Sequence, residues 1–378
     1  MKKYLFLLVP ALLAACGQTV DPVPDPDPDP TPVEPVVVVT PTFAKGADIS
    51  WASEMEHDGK TFKKADGTTA DLLDVLKECG INAIRLRVWV DPYAGWSGQA
   101  DMLALAKRVH AAGLSLMVDF HYSDFFADPT RQVVPSAWQA DKDDLDKMCS
   151  HVAAHTTEVL QALKDADIAP AWIQIGNETR NGMLWPAGQL WTSSGDIPDG
   201  RKHFARLYNA GYDAAKALFP DALVMPHLNN AYEDNAWWLK QVKEAGGKFD
   251  AMALSHYPQA ESGMTSAQYN AEAIKQIKAL YSSYKLPVFI SEVGVMPSKS
   301  DAASVLQSFM TEVKKLDGVK GVFYWEPEVY GSWKPAVYSK PEELTRLTGT
   351  KQNAWGAYNQ GAFNNDGSAS AIMNVFND

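Results

Sequence analysis

The chain predicts an α/β fold, a (β/α)8 or TIM barrel in a single domain. Three observations predict it. Apolar runs of strand length alternate with helical periodicity about eight times. The runs are apolar almost throughout, as parallel strands covered on both faces are. Two of them, ending Gly176-Asn177-Glu178 and Ile290-Ser291-Glu292, deliver a glutamate at the strand end. In such a barrel, active sites sit at the C-terminal ends of the strands. No glycine-rich phosphate loop follows the first run, which argues against a doubly wound nucleotide fold.

Taken in order, residues 47–51 read as the first strand and 70–78 as a helix stopped by Gly80. Residues 82–90 form strand two, and 100–112 a helix stopped by Gly113. Strand three spans 114–120, followed by an acid-started helix over 141–165. Strand four covers 171–177, with a helix over 202–218. Strands five to eight fall at 222–227, 251–257, 288–292 and 319–325, with helices over 235–244, 266–281 and 302–316 between them. In strand two, Arg85, Arg87 and Trp89 share one face, while Ile84, Leu86 and Val88 share the other. The apolar face meets the helices, so the arginines point into the barrel. A buried guanidinium needs a carboxylate. An arginine beside Glu292 would favour its ionised form; for Arg87 a structural ion pair low in the barrel is the other reading.

The ends carry different information. Lys2 and Lys3, an apolar stretch over 4–13 and Leu13-Ala14-Ala15-Cys16 read as a secretory signal, too short for a membrane span. Leu-Ala-Ala-Cys resembles a bacterial lipobox, which implies cleavage before Cys16 and lipidation of its thiol. Residues 17–42 alternate Asp and Pro and then run into valines, a stiff solvated tether. Residues 43–378 form the barrel domain. The expected setting is extracytoplasmic, on a bacterial outer membrane, with surface and periplasm both open, and membrane contact only through the lipid. A net charge of −12 argues against nucleic acid or an acidic polymer as partner, and suits a monomer acting on a neutral substrate. Cys79 and Cys149 lie in helical patterns and read as buried thiols.

Glycoside hydrolysis needs two carboxyl groups, one protonated and one ionised. Glu178 and Glu292 supply them. The neutral amide of Asn177 is placed to bond a sugar hydroxyl. His151 and His155 have zinc spacing, but no glutamate lies between them as in His-Glu-x-x-His and no third ligand is apparent, so they read as a solvated helix face. No Gly-x-Ser-x-Gly elbow surrounds Ser291, and Trp237-Trp238 reads as packing.

Several segments together resemble glycoside hydrolase family 53, the arabinogalactan endo-β-1,4-galactanases of the retaining (β/α)8 clan. They are Lys45-Gly-Ala-Asp-Ile-Ser50, Arg85-Leu-Arg-Val-Trp-Val-Asp-Pro92, Asp119-Phe-His-Tyr-Ser-Asp124 with Ala127-Asp-Pro129, Gln174-Ile-Gly-Asn-Glu178 with Leu184-Trp-Pro186, and Gly321-Val-Phe-Tyr-Trp-Glu-Pro327. The resemblance runs from about Phe43 to the C-terminus. It implies Glu178 as general acid/base and Glu292 as nucleophile, with Arg85 and Tyr257 beside the nucleophile. It implies that His121, Asp124, Phe126, Trp185 and Asn229 line the cleft with Asn177, and that Trp325 forms a platform under the sugar. The implied substrate is β-1,4-galactan, cleaved internally with no cofactor. The alternatives are a clan relative acting on mannan or glucan, and an inactive glycan-binding lipoprotein.

Four departures bear on the subsites rather than the chemistry. Val293 follows Glu292 where a polar residue is usual, and Phe126 replaces a tryptophan. Gln259 replaces an aromatic, and Glu328-Val-Tyr330 replaces Ala-Trp. The segment 293–300 is short and lacks a clustered oxygen ligand set, so no metal is expected.

Overall fold

A computed structural model of the chain describes residues 39–259, 263–349 and 360–377. The signal segment, Cys16 and residues 17–38 of the expected tether lie outside the described residues.

Eight parallel strands form the barrel: β1 (Ala44–Asp48), β2 (Ala83–Val88), β3 (Ser115–Phe120), β4 (Trp172–Ile175), β5, β6 (Met252–His256), β7 (Val288–Val293) and β8 (Val319–Trp325). Strand β5 is in two pieces, Leu223–Met225 and His227–Leu228, separated by Pro226. Proline has no N–H to give a ladder. The first piece pairs with β4 and the second with β6, while β8 pairs with β1, so the sheet closes. The TIM barrel read from the alternation is the fold observed.

The helices between strands are α1 (Ala52–His57), α2 (Leu72–Glu78), α3 (Gln99–Ala111), α4 (Leu145–Asp165), α5 (Gly200–Leu218), α6 (Asn235–Glu244), α7 (Ser266–Tyr284) and α8 (Ala302–Val313), and α9 (Pro341–Thr348) follows β8. Their starts follow local chemistry. Asp71, Asp144 and Asp234 cap α2, α4 and α6, and Thr265 with Gln268 forms a capping box on α7.

Three expectations change. The first strand lies at Ala44–Asp48 rather than 47–51, because Ala52 already begins α1 and Trp51 turns its ring onto Trp89, Phe126 and Trp333. The helix expected from 141 starts at Leu145, after a 3-10 turn over Ser136–Asp141. His151 and His155 do not form a solvated face. His151 stacks on Trp138 at 5.1 Å and bonds Asp141, and His155 is buried against Phe120 and Tyr122.

Inside the barrel the side chains form layers with a period of two. Ala83, Met117, Trp172, Met225, Ala253, Phe289 and Phe323 belong to an apolar floor separate from the main core. Two positions further along most of these strands stand Arg85, Asp119, Gln174, His227, Ser255 and Trp325. The apolar floor excludes water from below, and the polar layer opens toward the strand C-termini.

Candidate active site

The polar layer is organised by Arg85, which is 1% exposed. Its Nη1 donates to Asp48 Oδ2 at 2.6 Å, and its Nη2 donates to Asp119 Oδ2 at 2.7 Å, Asn177 Oδ1 at 3.0 Å and Gln174 Oε1 at 3.2 Å. The same Nη2 lies 3.0 Å from Glu292 Oε1. Burial works against the Arg85 charge, and Asp119, Glu292 and Asp48 outweigh it.

Glu292 reaches Arg85 through a backbone irregularity. Ile290 is opposite Leu254, but Glu292 is opposite Ser255, so Ser291 is the extra residue of a bulge. The inward alternation from Phe289 would otherwise have put Ser291 in the barrel and turned Glu292 outward. The other Glu292 oxygen, Oε2, accepts from Tyr257 Oη at 2.8 Å and faces Ser255 Oγ at 3.4 Å.

Glu178 arrives by a left-handed turn. It has φ 47° and ψ 50°, and Gly176 before it has φ 79°. A Cβ at Gly176 would stand 2.5 Å from Thr179 Cγ2, so both φ and space demand glycine there. Glu178 Oε1 accepts from Ser255 Oγ at 2.8 Å, and Glu178 N donates to His227 Nδ1 at 3.3 Å. One carboxylate oxygen of Glu178 and one of Glu292 lie within 4.8 Å of each other and of a His227 ring nitrogen. These three residues offer the oxygens and nitrogen of a metal site, yet within the protein they are already held by Ser255, Tyr257, Arg85 and one another.

The two carboxyl groups differ in their surroundings. Burial raises the Glu178 carboxyl well above the usual range, and the neighbouring Glu292 charge adds to this; the Ser255 hydrogen bond opposes it. Burial also raises Glu292, but Arg85 and the Tyr257 hydroxyl pull it back, while Asp119 and Asp48 push it up. Of the two, Glu178 is the one driven to hold a proton and Glu292 the one beside a cation.

Comparison with known proteins gives this arrangement a lineage. The model of "Glycosyl hydrolase family 53" matches residues 44–304. A relative from Aspergillus terreus, described as a probable arabinogalactan endo-beta-1,4-galactanase A, is 33% identical over 308 residues, covering 75% of this chain and 85% of its own length. The chain belongs to glycosyl hydrolase family 53. Among solved structures, the family 53 catalytic domain of Ignisphaera aggregans superimposes with a TM-score of 0.72 at 26% identity, over 92% of this chain and 99% of that one. A fungal beta-1,4-galactanase structure gives 0.70 at 26% identity, over 88% and 98%.

Within this family 53 chain the expected site residues separate into two groups. Asn177, Arg85 and Tyr257 meet the glutamate pair directly or through one bond, and the Tyr257 ring stands edge-on to Trp325 at 6.1 Å. Asn177 Nδ2 donates to Ala127 O, which fixes its amide. Phe126 packs edge-on against Trp325 at 6.0 Å, so these rings form one wall. Trp185 is joined to the loop after β3 by its backbone N–H, which donates to Gln132 O, while its indole N–H donates to Asn181 O. The remaining three make their bonds to groups other than the pair. His121 is buried, with Nε2 2.9 Å from Asp119 and Nδ1 accepting from Ala127 N, so it supports the Arg85 partner rather than lining the cleft. Both Asp124 oxygens are occupied by backbone N–H groups, of Asp91 and Ser136, so it pins loops together. Asn229 Oδ1 accepts from Arg180.

Sequence reasoning missed Asp48, Asp119, Gln174, His227 and Ser255 as members of the layer. Strand parity carried a signal for some: Asp119 lies two residues after Met117, and Ser255 two before Tyr257. The requirement that Arg85 find a carboxylate pointed to acids at the ends of the adjoining strands, which Asp48 and Asp119 are.

Proposed function

We propose that this chain is an endo-acting galactanase that cleaves internal β-1,4-galactosidic linkages of galactan or type I arabinogalactan by double displacement. The observation that carries the mechanism is the spacing and asymmetry of the pair. Carboxyl groups ~5–5.5 Å apart allow direct attack by one of them, whereas ~6.5–9.5 Å leaves room for the water of inversion. Oxygens of Glu178 and Glu292 within 4.8 Å fit the shorter separation. Glu178 protonates the leaving oxygen, Glu292 attacks the anomeric carbon to form the glycosyl-enzyme, and Glu178 then takes a proton from water. Arg85 and Tyr257 hold Glu292 as an anion. Trp325 and Phe126 offer apolar ring surface to the sugar, and Asn177 a neutral amide. The galactan substrate is supported by the names of the relatives.

The reading extends to location. Cys16 is lipidated after signal cleavage, the acidic proline-rich segment is a tether, and the enzyme works as a monomer on the extracytoplasmic side of a bacterial outer membrane. Support comes from the sequence pattern of residues 1–42.

The test is hydrolysis of linear β-1,4-galactan by the protein and by Glu178→Ala and Glu292→Ala. Galacto-oligosaccharides are expected from the parent alone, with each variant losing on the order of 10³-fold or more. Azide should restore a β-galactosyl product to the Glu178 variant and an α-galactosyl product to the Glu292 variant. Release from mannan or glucan instead would keep the mechanism and replace the substrate. Binding of galactan without release would leave a glycan-binding protein.

A further inference from the structure

Trp237 and Trp238 are neighbours in the first turn of α6, and the sequence reads both as packing. The structure separates them. Trp238 is buried, with its ring edge-on to Phe204 at 5.5 Å and its indole N–H donating to Arg180 O at 2.9 Å. Trp237 is 47% exposed, and among the described residues it is the exposed aromatic side chain. Its backbone N–H donates to Asp234 Oδ1 at 2.8 Å, so the turn that carries it is fixed. An indole left half in water contributes little to folding, and it keeps apolar surface that a bound ligand would cover.

The position of the ring says which ligand. Helices run back along the barrel against the strands, so their first turns lie at the mouth with the strand C-termini. Trp237 therefore stands on the rim after β5. The acid/base turn is joined to this rim. Arg180, two residues beyond Glu178, donates through Nε to Asn229 Oδ1 at 3.2 Å and pairs through Nη1 with Glu233 at 3.0 Å. Both partners lie in the loop that leads to α6.

A second connection runs through the segment between β4 and α5. Asn181, three residues beyond Glu178, exchanges two hydrogen bonds with the backbone of Trp191. Trp191 pairs with Asp196 across a short antiparallel hairpin. Asp196 Oδ2 accepts from Arg201 Nη1 at 2.8 Å, and the Arg201 guanidinium lies 5.8 Å from the centre of the Trp237 ring, the outer range of a cation–π contact. An exposed indole with an ion pair beside it matches the two kinds of surface on a pyranose. The ring takes the C–H face, and the guanidinium and carboxylate take hydroxyls.

We propose that Trp237, with Arg201 and Asp196, is a remote subsite for the departing part of the galactan chain. The inference rests on reading the chain as an endo-galactanase with Glu178 as the acid. Glu292 attacks the anomeric carbon from the face opposite the departing oxygen, and Glu178 protonates that oxygen. The departing chain thus leaves on the Glu178 side, where the loops after β4 and β5 meet and Trp237 stands. Binding of remote sugars there holds a long chain across the cleavage site, which a short substrate cannot exploit.

The experiment compares Trp237→Ala and Trp237→Tyr with the parent on linear galactan and on a dinitrophenyl galactobioside, which places no sugar beyond the cleaved bond. The alanine variant should lose about tenfold in kcat/KM on galactan, mainly through KM, and less than about twofold on the aryl substrate. Tyrosine keeps a ring and should recover most of the loss. From galacto-oligosaccharides labelled at the reducing end, the parent should release longer labelled fragments than the alanine variant, because the subsite draws sugars to the departing side. Unchanged kinetics of the alanine variant on galactan would overturn the proposal and leave the ring to another partner. Equal losses on both substrates would also overturn it, by making Trp237 a residue of the fold. A parent that releases nothing from galactan would instead remove the activity on which the proposal rests, so the two failures are distinguishable.

Discussion

Arg85 and Arg87 leave β2 on the same face, two residues apart, and each is 1% exposed. Their surroundings differ in kind. Arg85 is ringed by Asp48, Asp119 and Glu292 and by the amides of Gln174 and Asn177. Arg87 meets one carboxylate, Glu326, at 2.5 Å, its Nε donates to Ser97 Oγ at 3.1 Å, and its guanidinium lies over the rings of Trp51, Trp89 and Phe126 at 4.1, 4.6 and 4.9 Å. Burial drives the adjoining Glu178 to hold a proton, and the charge of Glu292, one of the three carboxylates around Arg85, adds to it. The Arg87 charge is spent on aromatic faces. It stiffens the wall that continues from Phe126 to Trp325. One arginine tunes protons; the other braces a surface.

The largest effect should follow from breaking the first cluster. Arg85→Met strands three buried carboxylates, and breaking a buried pair typically costs about 3–5 kcal/mol. Activity on galactan should fall by on the order of 10³-fold, because Glu292 loses the cation that keeps it ionised. Chemical denaturation and steady-state kinetics on the same sample would check both. A variant that keeps kcat would refute the role given to Arg85.

Arg87→Met should do less, and differently. Methionine retains contact with the three rings, and Glu326 relieves its own stranded charge by staying protonated. A stability loss of about 1–3 kcal/mol is expected, with kcat within about tenfold and KM raised as the Phe126–Trp325 wall loosens. A KM unchanged beside a collapsed kcat would erase the distinction between the clusters.

The sequence made part of this contrast readable. Period-two alternation placed both arginines inside the barrel and both glutamates at strand ends, since apolar faces toward the helices leave polar residues only one way to point. It did not separate the arginines, because their partners arrive from strands remote in sequence. Glu292 faces inward only because Ser291 is looped out of the pairing, and alternation counted from Phe289 predicts the opposite. His227 was hidden by Pro226, which breaks β5 just before it. Asp124 was placed in the right loop, but its backbone partners are invisible in sequence. Trp51 read as strand because aromatic residues fit strands and helix starts alike.

The effect expected at Glu326 vanishes near about pH 4.5, and it separates the clusters by pH rather than by size. Burial lifts its carboxyl to about 8, with Asp48 adding to this, even though Arg87 and a Trp51 hydrogen bond pull down. In the unfolded chain a glutamate titrates near ~4.3. Between those values the folded state holds a proton that the unfolded state has released. Stability must then fall as pH rises through that window, being fully present below the unfolded value and lost by about pH 8. Glu326→Gln keeps the shape and an acceptor for Arg87 but cannot titrate. It should match the parent near about pH 4.5 and gain on it progressively toward about pH 8, by at most about 4 kcal/mol. Thermal unfolding of both proteins across that range reads the difference directly. Parallel curves would mean that Glu326 is ionised in the fold throughout. Arg87 would then sit in an ion pair as Arg85 does, and the two clusters would differ only in how many carboxylates surround the charge.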